Sequence, residues 1–170
     1  MDKYSWAAFH FAEAASDAEW MCLAWLYLDN FHVDLALWMA NQRRCPEAVA
    51  LALYWYSHPY VCADYRKRGQ ISRCHSVRYA VFETVERYFD TGFYSVSELG
   101  FNPARDISES VGPLSFPLNW LDSLPEGDSK GSPRLRQAIP GVTVNARRLI
   151  DEWREGLPPR IAEQVFDLKE

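Results

Sequence analysis

Of 170 residues, 48% are apolar, 24% charged and 15% aromatic, and the net charge is −5. A chain of this length can bury about 70% of its unfolded surface, so a core forms without disulfides or metal. These values exclude a disordered chain, a collagen-like chain and a cationic nucleic-acid coat protein, and they leave one excess, aromatic content at roughly twice the usual share.

Residues 3–15 combine alanines with aromatics at helical spacing. Ser16 stands three before Glu19, a capping box in which the hydroxyl accepts from the Glu19 amide and the carboxylate reaches back. A second helix over 17–28 starts there. After Asp29-Asn30-Phe31-His32, the apolar stretch Val33 to Ala40 predicts a third, closed by Asn41-Gln42-Arg43-Arg44 with the cations a helix C-terminus favours. Pro46 at a first helical position, followed by Glu47, predicts a fourth helix over 46–57, which Pro59 stops. The second to fourth helices are apolar nearly all round, so residues 17–57 are expected at the centre of the domain.

A fifth helix, capped by Ser72 or Ser76, carries Val77, Ala80, Val81, Thr84, Val85, Tyr88 and Phe89 on one face and Arg78, Glu83, Glu86 and Arg87 on the other, with Gly92 suited to C′. Residues 111–141 hold five prolines and four glycines, so no long element is expected there. Within that stretch Phe116 to Leu121 can dock on the body, and Glu126 to Ser132 reads as a mobile tip. Two more helices, 144–155 and 159–168, finish the chain. The expectation is one all-α domain, 1–170, of six to eight helices: a helical centre at 17–57, a Pro/Gly-rich loop at 111–141 and C-terminal helices at 144–168.

Charge is uneven. Residues 1–63 carry three basic and seven acidic residues, 64–90 six and four, and 91–170 nine and twelve. The acidic total argues against phosphate-backbone binding. Arg66-Lys67-Arg68, with Arg73 and Arg78, is the one anion-facing candidate, and nearby Asp64, Glu83 and Glu86 dilute it into a solvated loop and helix start. The N-terminus lacks a signal peptide's cationic start and apolar run, and the longest apolar runs, Trp20 to Leu28 and Ala48 to Tyr56, are less than half of the roughly 20 residues a membrane span needs. A reducing cytoplasm is expected, with Cys22, Cys45, Cys62 and Cys74 as small core residues.

Candidates for chemistry are thin. Cys62, Cys74 and His75 with His58 are the best zinc set, but adjacent Cys74 and His75 point about 100° apart on a helix. No metal or cofactor is expected. Cys74 beside His75, Arg73 and Arg78 could make a thiolate nucleophile, and Asp29 with Asp34 could share an acid–base mouth. Phosphate loops and a Gly-x-Ser-x-Gly elbow are missing. The aromatic cluster Trp38, Tyr54, Trp55, Tyr56, His58 and Tyr60 is the better lead: Tyr54, Trp55 and Tyr56 point three ways from one helix, so at least one is expected to face a groove or partner.

The segment Cys45-Pro46-Glu47-Ala48-Val49-Ala50-Leu51-Ala52-Leu53-Tyr54-Trp55, preceded by Leu37-Trp38-Met39 and by Asp29-Asn30-Phe31 in the place of an Asn-Trp-Asp turn, resembles a small bacterial family of unknown function. The resemblance covers residues 25–60. It implies a small α-helical cytoplasmic domain without a known catalytic site, of the kind encoded beside interbacterial toxin genes as candidate immunity proteins. The expected activity is therefore binding, not catalysis: neutralisation of a cognate toxin, with no nucleic-acid or membrane partner. Expected contacts are Asp29, Asp34, Trp38, Tyr56, His58, Trp120, Asp122 and Asp128. An adaptor for a secreted effector, or a small enzyme using Cys74/His75 or Asp29/Asp34, are the alternatives.

Overall fold

The Ser16 box forms as written: the Glu19 carboxylate accepts from the Ser16 amide at 2.8 Å, and the Ser16 hydroxyl accepts from the Glu19 amide at 3.3 Å. It separates α1 (Lys3–Ala14) from α2 (Asp17–Leu28) in the computed structural model, which describes residues 3–28, 33–110 and 132–166. Next come α3 (Val33–Ala40) and α4 (Glu47–Tyr56). Pro46 lies one position ahead of α4 at its N-cap, with extended backbone, while the Ser95 amide donates to the Cys45 carbonyl and the Glu47 amide donates to the Ser95 carbonyl.

A helix that was not expected follows at once. Pro59 ends α4 and also opens α5 (Pro59–Arg68), because a first helical position needs no N–H. His58 makes the turn between them with φ 58, ψ 66, the left-handed region. Arg66, Lys67 and Arg68 are consequently the last turn of a helix, favourable for cations, and not the loop and helix start expected. Gly69, at φ 66, closes it.

A 3-10 turn (Arg73–His75) leads into α6 (Ser76–Tyr88). Neither serine caps α6 through its side chain: its N-cap is His75, and Ser76 donates its hydroxyl to the Arg73 carbonyl. Gly92 takes its expected left-handed conformation after a further 3-10 turn. The second unexpected helix, α7 (Pro103–Ser110), starts on a reciprocal cap. Asn102 Oδ1 accepts from the Ala104 amide and the Asp106 carboxylate accepts from the Asn102 amide at 2.6 Å.

Of the Pro/Gly-rich segment, residues 111–131, and with them Phe116 to Leu121 and all but the last residue of the predicted tip, lie outside the described residues. Residues 132–142 contain a 3-10 turn (Pro133–Arg136) and isolated bridges, Phe101 to Ile139 and Leu99 to Val142. The two backbones approach so closely that a Cβ on Gly141 would lie 2.5 Å from the Glu98 carbonyl oxygen. The helix expected over 144–155 shortens to one turn, α8 (Ala146–Leu149), capped by Asn145. Glu155 and Gly156 both take positive φ in a tight Arg154–Leu157 turn, which a continuing helix would forbid. The last helix, α9 (Pro159–Phe166), docks on α1.

All nine helices are α-helical segments of the described residues, which form no strand. The core is centred on α4, whose residues Ala48 to Tyr56 are all buried, with α2, α3, α5, α6 and α7 around it. No described helix is long and apolar enough to cross a membrane.

One buried charge ties this core together. Arg78 of α6 is 7% exposed and donates to the Tyr56 carbonyl at 2.6 Å and the Tyr27 carbonyl at 3.2 Å, with its guanidinium over the Tyr27 ring. Both carbonyls belong to C-terminal turns, of α4 and α2, where unsatisfied oxygens and the helix dipole concentrate negative potential. Expected on the wet side of its helix, Arg78 instead neutralises two helix ends.

Candidate functional site

Tyr54, Trp55 and Tyr56 leave α4 in three directions and each meets a different neighbour. Tyr54 stacks on Phe82 at 5.3 Å, Trp55 donates its indole N–H to the Leu135 carbonyl at 2.7 Å, and Tyr56 meets Phe101 edge-on at 6.0 Å. All three are buried. A central helix has core on every side, so diverging side chains do not require a surface. Tyr56 lines a cleft, and at 2% exposure it is part of the wall and not a projecting anchor.

The other predicted contacts scatter. Asp34 is exposed in the first turn of α3. Trp38 is partly buried, its ring 5.8 Å from both Phe9 and Trp20. His58 is partly buried at the start of α5. Asp29, Trp120, Asp122 and Asp128 lie outside the described residues. Trp6, which sequence reasoning passed over, is 57% exposed. It sits three residues before Phe9 on the same face of α1, with His10 edge-on at 4.1 Å. Phe9 of α1 meets Trp38 of α3 edge-on, with Trp6 one turn farther out on α1 and exposed Glu13 and Asp34 on those helices. The signal for Trp6 was available: an aromatic at the outer end of a helix whose alanines, Ala7 and Ala8, already fill the inner face.

The cysteines divide three to one. Cys22, Cys45 and Cys62 are buried, and burial pushes their thiols up, to about 12 for Cys22 and Cys62 and well above the ordinary value for Cys45. They are core residues, as expected. Cys74 is exposed, which corrects its assignment to the core. Its sulfur lies 3.0 Å from the Ser72 hydroxyl, while His75 Nδ1 lies 2.6 Å from the Tyr65 hydroxyl. The adjacent pair is therefore engaged in two different directions. Among the described residues, no three His, Cys, Asp or Glu side chains converge as a metal site.

Two clefts flank the end of α4. The larger, about 350 Å³, lies between Met21 and Trp25 of α2, Tyr56, Gly100-Phe101, Asp106 and residues 143–147. Its carboxylate, Asp106, is held by the Asn102 amide and by Arg105 Nε at 2.7 Å, so it serves the α7 cap. The smaller, about 240 Å³, is lined by Ser57, His58, Val61, Cys62, Tyr65, His75 and Arg78. No family model, curated protein or solved structure matches this chain. What it does is read from its own surfaces.

His58, in the smaller cleft, is a group whose titration folding moves through the mildly acidic range. Burial, then the positive charges of Arg78 and His75, push its pKa from 6.5 down to about 4. Tyr60 lies at its Nδ1, 3.3 Å away, and the neighbouring Cys62 thiol stays protonated. The folded state therefore disfavours the imidazolium. Its contribution to stability is complete above the unfolded pKa of 6.5 and is lost as pH falls toward 4, up to about 3 kcal/mol. Urea unfolding across this range should show the decline, and the His58→Gln variant should show a shallower one because other groups alone then titrate. Identical slopes would disprove the assignment.

Proposed function

We propose that the chain is a protein-binding module that neutralises a cognate bacterial toxin by direct binding and occlusion of the toxin's active site. The observation that carries the binding reading is Trp6: a large ring more than half exposed on α1, one turn before Phe9, whose partly buried ring meets Trp38 of α3 edge-on at 5.8 Å, so that the three define an aromatic ridge over α1 and α3. Isolated apolar residues on a surface need no explanation, whereas aligned aromatic rings are the usual anchors of interfaces. The charge of this part of the chain sets the partner's chemistry. Arg160 pairs with Glu19 at 2.7 Å and Arg44 donates to carbonyls at the end of α1, so the acidic character near the ridge comes from exposed Glu13 and Asp34, which suit a basic protein drawn in by charge and retained by the rings. The family resemblance over residues 25–60 supports the toxin as that basic protein.

The test uses the purified chain and the product of the adjacent gene. Calorimetry should show a tight one-to-one complex, and the partner's activity should fall in proportion to the chain added. Trp6→Ala and Trp38→Ala are each expected to weaken binding about tenfold or more. Trp6→Ala is the cleaner variant because its ring is mostly outside the core. Failure to bind, or binding that leaves the partner's activity intact, overturns the toxin reading. Unchanged affinity in both variants removes the ridge from the interface.

A further inference from the structure

We propose that the larger cleft, formed by α2, the end of α4, the start of α7 and residues 143–147, binds a small aromatic carboxylate through Trp25 and Arg147. The proposal is independent of the α1–α3 ridge. Its starting point is an orphaned donor in the wall. The indole N–H of Trp25 is buried and meets no acceptor among the described residues, whereas Trp20 donates to the Ala12 carbonyl at 2.9 Å and Trp55 to the Leu135 carbonyl at 2.7 Å. A buried donor left unpaired costs stability, so its place in the lining of a cleft points to an acceptor that a ligand supplies. The Trp25 ring is itself partly exposed, and a side-chain adjustment of the kind common on binding turns its N–H to a guest.

The second observation is charge. Arg147 lines the same cleft, is exposed, and makes no hydrogen bond or ion pair among the described residues. The one carboxylate of the described lining, Asp106, is compensated by Arg105 Nε at 2.7 Å and holds the α7 cap, so Arg147 leaves the site with an excess of positive charge. A guanidinium presents a planar fork that matches a carboxylate through two parallel hydrogen bonds.

Shape and apolar surface narrow the ligand. Met21 and Trp25, one turn apart on α2, share the lining with Tyr56 and Phe101, whose rings meet edge-on at 6.0 Å. Rings and a thioether sulfur favour a flat aromatic guest. About 350 Å³ is near the lower end of the range for small-molecule sites, which suits a small ring system. A single unpaired cation balances one carboxylate and not a polyphosphate, so the ligand is an aromatic monocarboxylate that also carries an oxygen acceptor for the Trp25 N–H.

Calorimetric titration of the full chain at low salt with para-acetylbenzoate tests the site, because this probe combines a ring, a carboxylate and a carbonyl acceptor. Saturable one-to-one binding is expected. The ethyl analogue, para-ethylbenzoate, lacks the acceptor and para-acetylbenzamide lacks the charge, and each should bind more weakly by about fivefold or more. Trp25→Phe keeps a ring in the wall and removes the N–H, so it should bind the acetyl and ethyl compounds equally; a merely structural role for Trp25 would leave their ratio as in the parent. Arg147→Gln should erase the preference for carboxylate over carboxamide, with the melting temperature unchanged because the position is exposed. Absence of saturation with para-acetylbenzoate, equal affinity of the parent for all three probes, or ratios that survive both substitutions overturns the proposal.

Discussion

Replacing Arg78 with methionine is expected to destabilise the fold by about 3–5 kcal/mol, measured as the loss in unfolding free energy by chemical denaturation. Methionine matches much of the side chain's length and supplies apolar contacts, so packing is not the main loss. The loss comes from the carbonyls of Tyr27 and Tyr56, which end α2 and α4 inside the protein and lose a charged donor. An unsatisfied buried acceptor costs about 1–3 kcal/mol, and a hydrogen bond to a charged group contributes about 1.5–3 kcal/mol. Arg78→Lys should fall between the variant and the parent, because one ammonium cannot reproduce the planar fork that reaches both carbonyls. A loss below about 1 kcal/mol for Arg78→Met would show that the helix ends find other donors and that Arg78 is not the clamp.

The same residue shows what the sequence could and could not convey. Arg78 sits at a position that helical periodicity assigns to solvent, and nothing local marks it as buried. Its partners lie 51 and 22 residues away in sequence, at helix ends whose orphan oxygens appear only when the helices assemble. Local rules worked where the chemistry is local. The Ser16 box, the amphipathic α6 and the left-handed Gly92 all follow from neighbours within a few residues. They failed where one residue has two roles: Pro59 reads as a stop and also starts α5, and Asn102-Pro103 opens α7 through a carboxylate four residues on, one more than the capping-box spacing.

The candidate sites follow the same division. Asp34 on the surface and all four cysteines in the core are expected from residue chemistry alone, and Cys74 is the exception that the structure exposes. The cluster of His58, His75 and Arg78 assembles from the start of α5 and the start of α6, joined by the unexpected helix. Without α5 there is no reason to place Tyr65 beside His75, and His75 reads as a partner for Cys74. Tertiary structure redirects that imidazole from a thiol toward a tyrosine, converting a possible nucleophile pair into one wall of a cleft. The aromatic excess resolves likewise into rings that build the core around α4 and a smaller number, Trp6 foremost, that reach the surface.

Trp55 provides the second large effect. Its side chain is 0% exposed, and its indole N–H reaches the Leu135 carbonyl 80 residues away, tying the 3-10 turn at 133–136 to the central helix. Trp55→Ala should cost about 3–5 kcal/mol through lost burial and the cavity left behind. Trp55→Phe separates the two contributions. It keeps an aromatic ring against Tyr54, whose ring meets it edge-on at 5.3 Å, but removes the donor and leaves the Leu135 carbonyl unsatisfied. That variant should lose less in total, about 1–3 kcal/mol. Its effect should concentrate in residues 132–142, whose amide hydrogen exchange accelerates while α2 and α4 remain protected. Uniformly faster exchange in Trp55→Phe would show that the indole stabilises the helical body as a whole. Unchanged exchange at Leu135 to Val142 would show that the bridges to Leu99 and Phe101, and not Trp55, hold that segment in place.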